Sequence, residues 1–412
     1  MNDTIIINAT CLGKYIDGIG IRALNLLREL SQIESSHHFI IYLNRSCTEH
    51  VNDIRFPDHC EVRWVSSVVS PDHGFRGHLP RLLYSNFLGM RHWGSTIFLL
   101  SQLEAIFFRR NQIITIHDII PLLFKSLHKK QYFYFKYILR HVLHRARWII
   151  TPSHHSKGLL VEKYGLAESK IQVIPCGVRD SLFANTRQRM RTDDGKFILF
   201  SGRFVPMKNI AGVLGSFRLI KDRVPHNLVI TGHCTKGKSE EVEMALLNEH
   251  SIERDRVEFK GHVSAEEMEA LLNRASLIVF PSFYEGFGLP PLEGMAHGCP
   301  VVVSNVSSLP EVCGDAAEYV DPHDVHNIAD GMLKLLTDGD LRKQLVQKGL
   351  QQARKFQWKR IVRQHISIFD EALFARRAAI RTGNLKWRLA EVLQANSLLG
   401  VMLSSIFKFH VK

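Results

Sequence analysis

Short apolar runs alternate with stretches of helical spacing along nearly the whole chain, and this alternation limits the fold more than any other feature. Runs at 4–8, 39–43, 61–65, 96–100, 113–116, 148–150 and 171–174 form a first set, and runs at 197–200, 228–230, 257–259, 277–280, 301–303 and 318–320 a second. Many carry no polar face at all. Such strands need cover on both sides, which parallel sheets obtain from crossover helices. Between the sets lie Pro175-Cys176-Gly177-Val178 and a polar stretch at 187–196 with linker composition. At 412 residues the chain exceeds one ordinary core. The expectation is an α/β protein of two doubly wound, Rossmann-like domains facing across a cleft, with a helical C-terminal tail. Ligands of such sheets bind beyond the carboxyl ends of the strands, so the loops after strands are where chemistry is sought.

Composition narrows the class. The first residues, Met1-Asn2-Asp3-Thr4, lack the basic start and long apolar core of a signal peptide and read as the lead-in to a buried strand. No run of about 18 apolar residues is present, so no spanning segment is expected. Seven cysteines form no CxxC pair and suit a reducing compartment as buried apolar side chains. The net charge of +13 calls for an anionic partner, but no nucleic-acid-binding motif accompanies it. Between Pro121 and Trp148 seven Lys/Arg and no acid are interleaved with Tyr132, Phe133, Tyr134, Phe135 and Tyr137; from Arg376 onward seven basic residues face the single acid Glu391.

Four loops carry candidate chemistry. After the first run, Asp17-Gly18-Ile19-Gly20 precedes a helix expected from Ile21 to Leu30, where glycines allow a ligand close to the backbone, or simply make a tight turn. After the run at 197–200, Arg203 and Lys208 stand five apart. As a pair of cations they suit a departing diphosphate; otherwise they are solvated surface charges. After the run at 277–280 comes Glu285-Gly286-Phe287-Gly288-Leu289-Pro290-Pro291-Leu292-Glu293. The prolines suit a helix first turn, with amides before it that suit an anion. Glu285 then sits in the loop and Glu293 inside the helix, either on ligand hydroxyls or, for Glu293, as an ordinary helix-start acid. His117-Asp118 follows the run at 113–116, where a histidine is either a cleft residue or a packed structural one.

Taken in order, these pieces resemble glycosyltransferase family 4, the retaining group 1 enzymes of GT-B fold. Thr115-Ile116-His117-Asp118, Thr151-Pro152-Ser153 with Ser156-Lys157, Ile174-Pro175-Cys176-Gly177-Val178, Gly202-Arg203 with Lys208-Asn209, and Gly261-His262-Val263 belong to the match. So do Glu285 and Glu293 at their spacing, Ser307-Ser308-Leu309-Pro310-Glu311-Val312, and Tyr319-Val320-Asp321-Pro322. The resemblance implies an acceptor domain at 1–178, a donor domain at 179–355, a helix at 356–374 returning to the first domain, and a basic amphipathic tail at 375–412. It implies donor contacts from Gly18, Gly20, Arg203, Lys208, Glu285, Phe287, Gly288, Leu289 and Glu293, with catalytic parts for His117, Arg203, Lys208 and Glu285. Arg203 and Lys208 would hold the diphosphate, Glu293 the ribose, and Glu285 the sugar hydroxyls. No metal or other cofactor is implied.

Among members, bacterial O-antigen and surface-polysaccharide mannosyltransferases are most similar, which implies GDP-mannose as donor and a polyprenyl-diphosphate-linked glycan as acceptor. It also implies a cytoplasmic protein, peripheral on the inner face of an anionic membrane.

Two strings compete with this reading. Gly232-His233-Cys234-Thr235-Lys236-Gly237-Lys238-Ser239 matches a phosphate-binding P-loop letter for letter, so a P-loop NTPase is the rival enzyme class, against an ordinary surface loop. Asp338-Gly339-Asp340 matches the DxD of metal-dependent transferases but reads as a break between helices with Asp340 as N-cap. A non-catalytic nucleotide-sugar binder on the same fold is the third alternative.

Overall fold

The computed structural model describes residues 4–183, 195–232 and 239–381. The linker stretch at 187–194, the interior of the P-loop-like string and the tail beyond 381 lie outside the described residues.

The chain divides into two compact units. The first comprises 1–152, 156–174 and 361–412; the second comprises 153–155 and 175–360. The chain therefore makes a brief excursion into the second unit at Ser153–His155, passes over to it at Ile174–Pro175, and returns at Arg360–Ile361.

The first unit holds strands β1 (Thr4–Asn8), β2 (His38–Asn44), β3 (Cys60–Val65), β4 (Thr96–Leu99), β5 (Gln112–Thr115), β6 (Trp148–Thr151) and β7 (Ile171–Val173). They form one sheet in the order β3-β2-β1-β4-β5-β6-β7. Every pairing is parallel. Alternate residues explain the doubly apolar runs. Ile6, Ile40, Ile97, Ile114 and Ile149 join one buried cluster. Phe39 and Phe98 turn to the opposite face and pack on Phe369, at ring separations of 6.0 and 5.2 Å. Phe369 comes from the helix Trp358–Arg381, whose neighbouring Asp370 pairs with His37 at 2.9 Å. That helix runs seven residues beyond the end expected at 374.

The second unit holds β8 (Phe197–Ser201), β9 (Asn227–Thr231), β10 (Val257–Gly261), β11 (Leu277–Phe280), β12 (Val301–Ser304) and β13 (Glu318–Val320), in the order β10-β9-β8-β11-β12-β13. The two faces again separate by parity. Leu199, Ile278, Phe280, Val301 and Val303 enter one cluster. Ile198, Phe200, Leu277, Val279 and Val302 enter the other. Each of these apolar side chains contributes roughly 1.5–3 kcal/mol on burial, so a register slip that exposed one face is strongly disfavoured.

Both orders share one consequence. Each unit's first strand is followed by strands on one side and then, after a crossover, by strands on the other. The switch point lies between β1 and β4 in the first unit and between β8 and β11 in the second. Loops after these strands flank the place where open α/β sheets bind ligands.

Candidate active site

In the second unit, the loop after β8 is built around Asn209. Its backbone is left-handed (φ +55°), and its side chain caps the helix Ile210–Ile220 by accepting from Gly212 N. The same side chain donates to Pro281 O at 3.0 Å and Pro322 O at 2.7 Å, tying the loop to the ends of β11 and β13. A further tie runs from Phe283 N to Met207 O at 2.9 Å. The 3-10 turn Pro206–Lys208 is thereby fixed beside the loop after β11.

Lys208 and Glu285 meet across this switch point, Nζ to Oε1 at 2.6 Å. Lys208 Nζ also lies 4.9 Å from the Phe280 ring centroid. Glu285 is 8% exposed, so its carboxylate is held in a largely desolvated place by one nearby cation. Arg203 belongs to the same loop but is exposed to solvent. Its carbonyl accepts from Val205 N at 2.8 Å, a turn that separates the two cationic positions.

The segment from Glu285 to Gly288 is braced by serines. Glu285 N donates to Ser307 Oγ at 3.0 Å. The Ser308 hydroxyl lies 3.0 Å from Glu285 O and 2.8 Å from Phe287 O. Ser153 donates to Gly286 O at 2.9 Å. Gly288 has φ +105° and caps the helix Leu289–Ala296 with Pro290 and Pro291 in its first turn. A side chain there would meet Leu309 Cδ2 at 2.6 Å, so glycine is demanded twice, by backbone and by space. Glu293 stands within this helix, and burial pushes its carboxyl up to about 7, opposed by the Arg179 guanidinium.

His117, Gly18 and Gly20 belong to the first unit. Gly18 and Gly20 do not form a loop between strand and helix: they are the first turn of the helix Gly18–Leu30 itself, with Asp17 as N-cap accepting from Gly20 N. Asp17 explains the shift, because a capped helix begins three residues before the apolar stripe. His117 is buried just past β5. Its Nε2 lies 2.8 Å from Leu100 O, and its backbone N donates to Gln102 Oε1 at 3.1 Å. Burial, reinforced by the Arg22 guanidinium, lowers its pKa to about 3, so the ring is neutral. A carbonyl partner requires a proton on Nε2, which leaves Nδ1 as an acceptor.

The competing strings acquire structural explanations. Gly232 has φ +115°, and a Cβ there would lie 2.0 Å from Gly202 O. The first glycine of the P-loop-like string thus serves close approach to the loop after β8. The helix that follows, Ser239–His250, carries Glu240 and Glu241 in its first turn, where anions would be repelled. At 338–340 the N-cap is Asp338, not Asp340: Asp338 accepts from Asp340 N and Leu341 N to start the helix Gly339–Ala353.

Two charged positions near these loops escaped sequence reasoning. Arg179, beside Glu293, follows the hinge motif with no signal of its own. Glu104 is wholly buried at the first switch point, holding Thr10 Oγ1 at 3.1 Å, with a carboxyl raised to about 8 by desolvation. A polar stretch right after an apolar strand, Ser101-Gln102-Leu103-Glu104, was the available clue.

Comparison with known proteins gives concordant matches. Residues 16–182 match the family model described as Glycosyltransferase Family 4, and residues 183–352 that described as Glycosyl transferases group 1. The chain is 32% identical over 269 residues to O-antigen chain mannosyltransferase B of Escherichia coli, covering 62% of this chain and 69% of that protein. It is 28% identical over 332 residues to O-antigen chain mannosyltransferase RfbU of Salmonella typhimurium, covering 78% and 87%. Among solved structures, sucrose-phosphate synthase from Thermosynechococcus elongatus superposes with a TM-score of 0.73 at 21% identity, over 91% of this chain and 100% of that one. WaaG, a glycosyltransferase involved in lipopolysaccharide biosynthesis, gives 0.68 at 13% identity, over 89% and 99%. At these identities the structural likenesses speak for the fold alone, which is GT-B.

Proposed function

The chain belongs to the group 1 glycosyltransferases of family 4, and on that premise we propose that it moves mannose from GDP-mannose, with retention, onto a lipid-linked glycan of a bacterial surface polysaccharide. The observation that carries the transfer reading is the Lys208–Glu285 pair at the second switch point. An ammonium and a carboxylate 2.6 Å apart are the two partners that a sugar diphosphate needs, one for the leaving phosphate and one for the sugar hydroxyls. Their mutual contact holds both in place until the donor replaces it.

In this reading Lys208 and Arg203 neutralise the diphosphate as it departs, the stage at which a fixed cation lowers the barrier most. Glu285 accepts from donor sugar hydroxyls, Phe287, Gly288 and Leu289 offer backbone contacts, and Glu293 accepts from the ribose. His117, neutral with Nδ1 open as acceptor, takes a hydroxyl of the transferring sugar without placing a positive charge beside the oxocarbenium-like centre. The acceptor hydroxyl enters on the face the diphosphate leaves and passes its proton to a phosphate oxygen. The cations do the work a metal would do, so no metal is required. The first unit takes the acceptor, with Gly18 and Gly20 on its rim.

Mannose and the O-antigen setting come from the names of the relatives, two of which are O-antigen chain mannosyltransferases. Among the described residues no helix is long and apolar enough to cross a membrane. A peripheral seat on the inner face of the cytoplasmic membrane is supported by the segment around the helix Lys129–Phe133. Phe133 and Tyr137 there are 60% and 59% exposed, Leu127 and Ile138 are also exposed, and Lys125 and Lys136 stand over the Tyr132 ring. Aromatic rings with flanking cations and no acid suit an anionic lipid interface.

The test is a panel of GDP- and UDP-sugars, each scored for thermal stabilisation and for nucleotide release, with and without chelator. GDP-mannose stabilising the protein and turning over in chelator is the expected result. Stabilisation only by another nucleotide sugar, or only with metal, overturns the donor or the metal-free assignment.

A further inference from the structure

Tyr15 is 72% exposed, and it stands in the loop after β1, beside the first switch point. Exposed aromatic rings commonly belong to loops that move. This one belongs to a loop held at almost every residue. Thr10 Oγ1 contacts Asn8 Oδ1 and Glu104 Oε1 at 2.8 and 3.1 Å. Asn44 Nδ2 donates to Thr10 O at 3.1 Å and also to Leu12 O. The Asp72 carboxylate accepts from Lys14 N at 2.8 Å and Tyr15 N at 3.2 Å, and is itself fixed by Ser70 Oγ at 2.5 Å. His50 Nε2 meets Lys14 O at 2.8 Å. Asp17 then caps the next helix.

The space around the loop tells the same story. A Cβ at Gly13 would lie 2.5 Å from Asp72 Oδ1, so a side chain there would have to displace the carboxylate that anchors the loop. Three elements distant in sequence (the Asn44, Asp72 and Glu104 regions) thus converge to present a ring that they do not bury. A tyrosine retained for stability would turn inward, where its large apolar area counts. Here the backbone is ordered in advance and the ring is left free, the condition under which an aromatic face binds a ligand at least entropic cost.

We propose that Tyr15 is an acceptor-binding residue whose ring face stacks against the C–H face of a pyranose in the acceptor glycan. The proposal rests on the transferase reading above and adds the residue that reads the acceptor. A pyranose offers one face of axial C–H groups, weakly positive, to the negative face of an aromatic ring. Stacking tolerates different sugars, while the rigid loop fixes the distance from the switch point at which the ring is placed.

The experiment uses the full chain with GDP present and methyl α-D-mannopyranoside and α-1,2-mannobiose as probes. Saturation transfer from protein to the sugar's ring protons is titrated for wild type, Tyr15→Phe, Tyr15→Trp, Tyr15→Ala and Asp72→Asn. Phe and Trp should preserve binding, Ala should weaken it about three- to ten-fold, and Asp72→Asn, which keeps the ring but loosens the loop, should fall between. Thermal melting of the Ala variant should match wild type, since the ring is solvent-facing, so a loss of binding is not a loss of fold. Unchanged binding in Tyr15→Ala overturns the proposal, as does absence of sugar binding by wild type. A Tyr15→Ala defect confined to vesicle binding overturns it too, assigning the ring to lipid. GDP release from GDP-mannose by the wild-type protein without acceptor reads the transferase assignment separately.

Discussion

Lys208 Nζ and Glu285 Oε1 lie 2.6 Å apart between the loops that follow the neighbouring strands β8 and β11, so the proposed donor site rests in a self-paired state. Diphosphate entering this site must take the ammonium away from the carboxylate. Glu285→Gln removes that competitor: GDP alone should bind about three- to ten-fold more tightly by calorimetry, while sugar transfer falls. Lys208→Ala should lower kcat/KM about a hundred-fold or more, the cost typical of losing one fixed charge at a developing anion. Equal GDP affinity in wild type and Glu285→Gln contradicts the competition.

Glu293 gives a pH signature. Its carboxyl titrates near 7 in the folded protein against about 4.3 in an unfolded chain. Folding therefore favours the protonated form, and the associated stability is complete below the unfolded value and lost as pH rises through 7. Glu293→Gln, which never ionises, should raise Tm relative to wild type at pH 8 and change it little at pH 5. Donor KM should show the reverse face of the same group: in wild type it falls as pH rises through 7 and the carboxylate becomes an acceptor for ribose hydroxyls. In Glu293→Gln it stays high and flat.

Asn209 concentrates three tasks in one side chain: a left-handed turn, a helix cap and two buried hydrogen bonds. Asn209→Ala should cost about 2–4 kcal/mol in urea unfolding, combining lost cap and bonds with backbone strain. Asn209→Gly relieves the strain and should recover part of it, without restoring the position of Lys208. Activity in Asn209→Gly should thus stay low while stability partly returns.

The P-loop-like string separates by its two ends. Gly232→Ala forces a Cβ to within 2.0 Å of Gly202 O and should destabilise the fold measurably. Lys238→Ala should leave sugar transfer within about two-fold of wild type. Loss of all turnover in Lys238→Ala, with the fold intact by melting, would restore the NTPase reading.

The central strand positions were legible because their apolar runs had two buried faces, as in β1, β4, β5, β11 and β12. The run at 277–280 coincides with β11 for this reason. Boundaries set by single side chains were not legible. Asp17 starts a helix early and Asp338 starts one where Asp340 was expected, because either aspartate in such a stretch has a short acceptor, and only the backbone path selects which is used. The site was half visible. Glu285 and Lys208 were each expected in a loop after a strand, but their contact depends on Asn209 and Ser307–Ser308 bridging segments far apart in sequence. Arg179 and Tyr15 gave no signal, since a solvent-facing arginine or tyrosine is ordinary until its surroundings are known.

Phe369, wedged on Phe39 and Phe98, makes the first unit discontinuous in the gene. A clone truncated after codon 174 would leave a bare aromatic strip and is expected to precipitate. To express this half alone, codons 361–381 must be spliced back on by a linker, or the reading frame circularly permuted so that this segment leads.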